Sequence, residues 1–259
     1  MLPAIHDTGS GEAVLFLHAF TMDASQWDHQ IAALSGDLRC VRLDLWGCGA
    51  SPAPPAGVPT LDGFATAVLA ALDSRNIDRV AVVGLSMGGY LAFALWRLAA
   101  QRIRALVLCN TRATADAEAP RNDRLTMADQ VESEGSVESI VEPMVARLLS
   151  PRARADAHIV DPVRGRIRRC TPAGIAFAQR AMAARPDSSA LLASINVPTL
   201  VIAGTEDAII PVSEVQAMAD SIQGARCVTL DSGHMSNLEL PRAVNEQLAG
   251  FLTPATMAP

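Results

Sequence analysis

The stretch Val80-Ala81-Val82-Val83-Gly84-Leu85-Ser86-Met87-Gly88-Gly89-Tyr90 changes its periodicity at one serine. Four apolar residues in a row, Val80 to Val83, predict a buried strand, and the alanine- and leucine-rich run after Ser86, continuing to about Ala100, predicts a helix. A serine on so sharp a turn needs a strained backbone, and Gly84 and Gly88 on either side leave room for neighbouring backbone to pack close. A helix beginning at Met87 aims free N–H groups and the positive end of its dipole at the serine oxygen, where negative charge develops during acyl transfer. Ser86 is thus a candidate nucleophile. Taken alone, the same serine would equally cap a helix in a doubly wound sheet, so the rest of the chain has to supply a base and an acid.

The surrounding chain predicts the sheet that such a turn belongs to. Ala13-Val14-Leu15-Phe16-Leu17, Cys40-Val41-Arg42-Leu43-Asp44-Leu45, Ala105 to Asn110, Val197 to Gly204 and about Arg226 to Leu230 read as further strands. Leu2 to Ile5 predicts a short one ahead of the turn-rich Asp7-Thr8-Gly9-Ser10-Gly11. Between them lie helical patterns: one with Ser25 as N-cap and Trp27, Ile31 and Leu34 on its inner face, one from Leu61 to about Arg75 after a proline-rich loop, and a last one from Pro241 to Leu252. Short apolar strands alternating with helices predict an α/β fold, a mostly parallel sheet with helices on both faces. From Thr111 to about Ser189 helical periodicity continues without any strand-like run, which predicts a helical insertion. Its Met127, Met144 and Met182 suit either ordinary core or the wall of an adaptable pocket. Its arginines Arg147, Arg152, Arg154, Arg164, Arg166, Arg168 and Arg169, with Arg112, Arg121 and Arg124 ahead of them, suit either a solvated face or the gripping of a substrate carboxylate.

Composition narrows the function classes. The chain has 259 residues, half of them hydrophobic, enough for a full core without staples. No apolar run approaches the roughly 20 residues that cross a bilayer, and no signal peptide is evident, so a cytoplasmic protein without a membrane partner is expected. Net charge is −6, all 21 basic residues are arginine, and the one tyrosine is not set among basic residues, which argues against nucleic acid as a partner. Without lysine there is no Schiff-base chemistry and no lysine-dependent phosphate loop. The five cysteines are dispersed and include no Cys-x-x-Cys pair, so buried thiols are expected rather than disulfides or metal ligands; Cys48 is the one nearest the presumed site.

Gly84-Leu85-Ser86-Met87-Gly88 on a strand–turn–helix resembles the nucleophile elbow of the α/β-hydrolase superfamily. Other segments carry the same resemblance. His18-Ala19-Phe20 is similar to the family's His-Gly-x turn, with Ala19 in place of glycine, and Asp44 to Ser51 to its Asp-x-x-Gly-x-Gly-x-Ser loop. Gly204-Thr205-Glu206-Asp207, closing on Pro211, is similar to the segment that delivers the acid, and Gly233-His234 to the loop that delivers the base. The resemblance implies a catalytic set of Ser86, Asp207 and His234, in the chain order of this fold, with the backbone N–H groups of Phe20 and Met87 as oxyanion hole and no cofactor or metal. Asp231, three residues before His234, is the competing acid, Glu206 a weaker one, and His18 is read as pinning its loop rather than moving protons. The resemblance also implies a core of residues 1–110 and 190–259 roofed by a helical cap, 111–189.

Gly-Leu-Ser-Met-Gly-Gly together with Gly-His-Met-Ser-Asn-Leu-Glu is most similar to small carboxylesterases and 3-oxoadipate enol-lactonases, which implies a small-molecule ester or lactone substrate. A carbon–carbon hydrolase or a cofactor-free perhydrolase would use the same residues. A ligand-binding receptor on a hydrolase scaffold is the alternative from another class. The motifs leave substrate and oligomeric state open.

Overall fold

A computed structural model of the protein describes residues 2–253 and 256. Its seven strands are β1 (Ala4–Thr8), β2 (Ala13–Leu17), β3 (Arg39–Asp44), β4 (Val80–Leu85), β5 (Ile103–Cys109), β6 (Thr199–Gly204) and β7 (Arg226–Leu230). They form one sheet in the order β1-β3-β2-β4-β5-β6-β7, parallel throughout except for β1, which runs antiparallel to β3 from Ala4 opposite Asp44 to Thr8 opposite Cys40. The first strand therefore extends through Asp7 and Thr8, which the sequence assigns to a turn. Pairing with β3 and the Arg39 to Asp7 ion pair at 2.7 Å carry it past its own apolar residues.

Every residue of β2, β4 and β6 is buried. Side chains alternate between the two faces of a strand, so both faces of the sheet are covered. The helices of the sheet layer are α1 (Asp28–Leu34), α2 (Leu61–Asp73), α3 (Met87–Ala99), α8 (Val212–Asp220), α9 (Ser236–Glu239) and α10 (Pro241–Phe251). Helix α3 lies on β2, β4 and β5 with α2 beside it, α1 packs on α10, and α8 packs on β6 and β7. The first helical segment begins differently from the sequence reading: a 3-10 turn, Ala24–Trp27, precedes α1, and its cap is Asp23, whose Oδ1 accepts from the N–H of Ser25 at 2.9 Å. Ser25 lies inside that turn and donates its own hydroxyl to the same Asp23 oxygen, so the residue two positions earlier, with extended backbone, is the cap.

Between β5 and β6 the chain forms α4 (Glu118–Glu134), α5 (Glu138–Leu148), α6 (Ala157–Arg169) and α7 (Pro172–Ala183), with no strand among these residues. Helix α4 packs on α7 and α5 on α6. They are anchored to the sheet layer at specific points. Trp46 stacks on Phe64 at 5.0 Å and meets the edge of Phe177 of α7 at 5.9 Å. The Thr171 N–H donates to Gly47 O at 2.7 Å, and Gly47 and Gly174 approach so closely that a Cβ on either would stand 2.3–2.6 Å from the other's Cα. Arg166 donates to Ser25 O at 2.9 Å, and Arg169 to Asp23. Cys48 and Cys170, 122 positions apart, are both buried with their sulfurs 2.6 Å apart, so the dispersal seen in sequence ends in a thiol pair behind this seam. None of the five cysteines is in a disulfide.

Among the described residues no helix is long and apolar enough to cross a membrane. The loops after β2, β4, β5, β6 and β7 all emerge at the carboxyl end of the parallel strands. The chain steps from β2 outward to β3 and then back to β4, so the connections reverse between β2 and β4. In open α/β sheets that reversal is where ligands bind.

Candidate active site

Ser86 follows β4 with φ 55° and ψ −114°, a conformation rarely adopted by a residue with a side chain. The surrounding backbone holds it there. Its N–H donates to Cys109 O at 3.0 Å, and its own carbonyl accepts from Gly89 N at 2.8 Å and Thr111 Oγ1 at 2.9 Å. A Cβ at Gly84 would lie 2.4 Å from Gly88 O, and one at Gly88 would lie 2.2 Å from Leu17 O, so the turn closes only because these positions carry no side chain.

Ser86 and His234 line one cavity of about 220 Å³, together with Phe20, Tyr90, Leu148 and Ile209. His234 is 1 % exposed, and its Nδ1 donates to Asp207 Oδ2 at 2.8 Å. That bond leaves Nε2 as the ring's other face. Asp207 Oδ1 accepts from the backbone N–H of Ile209 and Ile210 at 2.8 and 3.0 Å, and Oδ2 also accepts from Asn110 Nδ2 at 3.0 Å. Burial pushes its carboxyl upward, but the His234 charge and hydrogen bond, with the two N–H donors, outweigh that and hold it below the usual carboxylate range. Asp207 is thus an anion facing the imidazole. The competitors lie elsewhere: Glu206 is exposed, and Asp231 is 74 % exposed and accepts from Thr205 Oγ1.

Phe20 lines the same cavity as Ser86, and Met87 follows Ser86 in the chain. Met87 is the first residue of α3, so its N–H has no acceptor within the helix. The loop carrying Phe20 is fixed on both sides: Ala19 N–H donates to Gln26 Oε1 at 2.8 Å, and His18 accepts from Leu45 N–H on Nε2 at 2.9 Å while Nδ1 donates to Ala19 O at 2.8 Å. With both nitrogens committed, His18 is the neutral Nδ1–H tautomer, and complete burial lowers its pKa. It does not line the cavity. Asp44 likewise organises loops, accepting from the N–H of Ala24 at 2.7 Å and of Ala50 at 2.8 Å.

Three supporting residues escaped the sequence reading. Asn110, at φ 46° just past β5, bonds Asp207 and accepts from Ser236 Oγ at 2.7 Å. A polar residue closing a buried strand beside the serine strand was the available signal. Asn237 donates to Gln26 O at 2.9 Å and Gln30 Oε1 at 3.1 Å, joining the His234 loop to the loop of Phe20. Glu239 accepts from Gly233 N at 3.1 Å and from Ser150 N and Oγ at 3.0 and 2.6 Å, tying the same loop to the end of α5.

The α4–α7 segment contributes Pro120, Asp123, Arg124, Met127, Met144, Arg147, Leu148, Gln179 and Met182 to the cavity. All three methionines singled out in sequence therefore face it. Most of the arginines do not: Arg164 pairs with Glu142 and Asp161, Arg168 with Glu138, and Arg152 reaches Asp231 O at 2.7 Å. Cys48 is absent from the lining and sits against Cys170 instead.

Known proteins resemble this chain over nearly its whole length. The chain is 28% identical over 248 residues to 3-oxoadipate enol-lactonase 1 of Acinetobacter baylyi, covering 96% of this chain and 91% of that one. Among solved structures it is similar to a thermophilic esterase from Thermogutta terrifontis with malate bound, at TM-score 0.92 and 35% identity over 96% of this chain and 92% of that one. It is also similar to the enol-lactonase from Burkholderia xenovorans, at TM-score 0.88 and 30% identity over 96% and 95%. The model of the alpha/beta hydrolase family matches residues 14–247. The strand–serine–helix turn, the parallel sheet and this match agree that the chain is a hydrolase enzyme and belongs to the alpha/beta hydrolase family.

Proposed function

We propose that the protein cleaves a small carboxylic ester or an enol-lactone through an acyl-enzyme on Ser86. The observation that carries this reading is the common cavity of Ser86 and His234, with the Asp207 carboxylate bonded behind the imidazole. His234 Nε2 takes the proton as Ser86 Oγ attacks the carbonyl carbon, and the N–H groups of Phe20 and Met87 hold the oxyanion. Collapse expels the alcohol, or the enol of an opened lactone, which takes the proton from His234. Water then enters, is deprotonated by the same nitrogen, and releases the acid from Ser86. Asp207 keeps the imidazole in the productive tautomer and stabilises its cation.

In this reading residues 111–189 form a cap over a core of 1–110 and 190–259, and the cap decides the substrate. A cavity of about 220 Å³ suits short acyl groups. The free thiols suit a reducing compartment, so we assign the protein to the cytoplasm. The names of the relatives, an enol-lactonase and an esterase, support ester-type substrates.

Hydrolysis of p-nitrophenyl esters tests the proposal. The wild type should favour short acyl chains. Ser86→Ala and His234→Ala should lose several orders of magnitude, with about a million-fold as the scale for a serine nucleophile, and Asp207→Asn should lose less. Activity that survives Ser86→Ala would overturn the mechanism.

A further inference from the structure

Cys48 and Cys170 are thiols that the fold brings together and the proposed chemistry does not use. Cys48 stands in the loop after β3 and Cys170 in the break between α6 and α7, and their sulfurs lie 2.6 Å apart. Only the fold sets that meeting: the two residues are 122 positions apart, and the segment between them carries Ser86. The backbone on both sides is held. Cys48 N–H donates to Leu45 O at 3.0 Å, Cys48 O accepts from Ser51 N–H at 3.0 Å, and Cys170 N–H donates to Ile167 O at 3.1 Å. Their neighbours join across the seam, Thr171 N–H to Gly47 O at 2.7 Å, so each thiol stands one residue from the same hydrogen bond.

Burial restricts what can reach the pair. Cys48 is 6 % exposed and Cys170 3 %, so a small oxidant enters where another protein does not. The hydrogen bond with Cys48, and burial with it, push the Cys170 thiol well above its ordinary range, so the proton stays on Cys170 and Cys48 is the sulfur that reacts first. Simple apolar packing accounts for the burial of two thiols. It does not account for two sulfurs in register across a seam where α7 meets the loop after β3 main chain on main chain.

We infer that Cys48 and Cys170 are a redox-active pair, joined by hydrogen peroxide into a disulfide that clamps α6 and α7 to the loop after β3. The Cys48 sulfur attacks one peroxide oxygen and becomes a sulfenic acid, while the other oxygen leaves as water with the Cys48 proton. The Cys170 sulfur then attacks Cys48 and displaces its hydroxyl, which leaves with the Cys170 proton as a second water. Two thiols have lost two protons and two electrons, and one peroxide has been reduced to two waters. In a reducing compartment the pair rests as thiols and closes on exposure to peroxide. The inference is independent of the ester-cleaving reading.

Peptide mapping tests it directly, because the chain has no lysine and trypsin cuts it only at arginine. Cys48 falls in the fragment of residues 43–75 and Cys170 in that of residues 170–180, and Cys40, Cys109 and Cys227 fall in others. Native protein treated with hydrogen peroxide and then alkylated should yield 43–75 joined to 170–180, lighter by two hydrogens. The thermal midpoint should rise by roughly 5–10 °C, the range for a bridge that closes a long loop in a chain of this size. Dithiothreitol should undo both changes. Cys170→Ser should stop at a sulfenic acid on Cys48 that dimedone labels, with no rise in midpoint. Thiols that stay intact in the peroxide-treated protein, a bridge between other cysteines, or this crosslink without any change in midpoint overturns the inference. The crosslink is read in the wild type, so the outcome does not depend on any variant folding.

Discussion

Asn110 and His18 show how much of the site's geometry depends on single polar residues outside the reacting set. Asn110 presents an amide N–H to Asp207 Oδ2 at 3.0 Å; replacing that amide by a carboxylate sets two anions against each other. Asn110→Asp should therefore raise the pH at which the Asp207 pair ionises, moving the acid limb of the pH–rate profile upward by about one unit or more. The pH–rate profile with a p-nitrophenyl ester checks this, and an unmoved limb would mean that Asn110 does not act through Asp207. His18 has a different signature. Its folded pKa is depressed by burial, so the unfolded chain binds a proton that the native state refuses. Its contribution is intact above about pH 6.5, the ordinary histidine value, and stability should fall as pH drops from there. Thermal midpoints measured from pH 8 to pH 5 should show that decline in the wild type and a flatter profile in His18→Asn.

At the scale of elements, the turn between β4 and α3 is set by contacts to backbone. A methyl group at Gly88 would stand 2.2 Å from Leu17 O, a main-chain atom of the neighbouring strand that has no rotamer to give. Gly88→Ala should destabilise the protein by several kcal/mol, about 2–4 on the scale of overpacked or strained sites, read from denaturant midpoints. It should also cost activity out of proportion to the fraction unfolded. This turn was legible in the sequence because its requirements are local: an apolar strand, glycines at fixed offsets, then a helical run. Asp207 and His234 were legible for the same reason, each standing just past a strand in a glycine-marked loop. Gln26, Asn237 and Glu239 were not. Asn237 meets Gln26 across 211 positions and Glu239 meets Ser150 across 89, and no local pattern marks an amide or carboxylate whose partner is that distant. The arginines were ambiguous for a related reason: periodicity puts them on helices, but whether each meets a carboxylate depends on which helices pair.

For the whole molecule, one half of the site arrives from the middle of the sheet, after β2 and β4, and the other from its β6–β7 end, and the two are held together by side-chain bonds. Glu239 spans Gly233 and Ser150, so it links the His234 loop to α5, whose Met144 and Leu148 line the cavity. Glu239→Ala leaves three donors without their partner, a loss of roughly 2–4 kcal/mol by the usual cost of unsatisfied groups. Hydrogen exchange should report faster opening at Gly233 and Ser150 in that variant, with α2 and α3 unchanged. If protection falls equally everywhere, the link is merely global stability.

The seam between Gly47 and Gly174 bears on how α7 is seated. There α7 rests directly on the loop after β3, main chain on main chain. A spacing set by side chains can be retuned gradually, by a methylene here or a ring there. Two backbones in contact leave no side chain to trim: any side chain inserted at Gly47 or Gly174 has to push α7 away, and with it Gln179 and Met182, which line the cavity that Ser86 lines. The room in the cavity is then set more freely by the residues that line it than by the seating of α7.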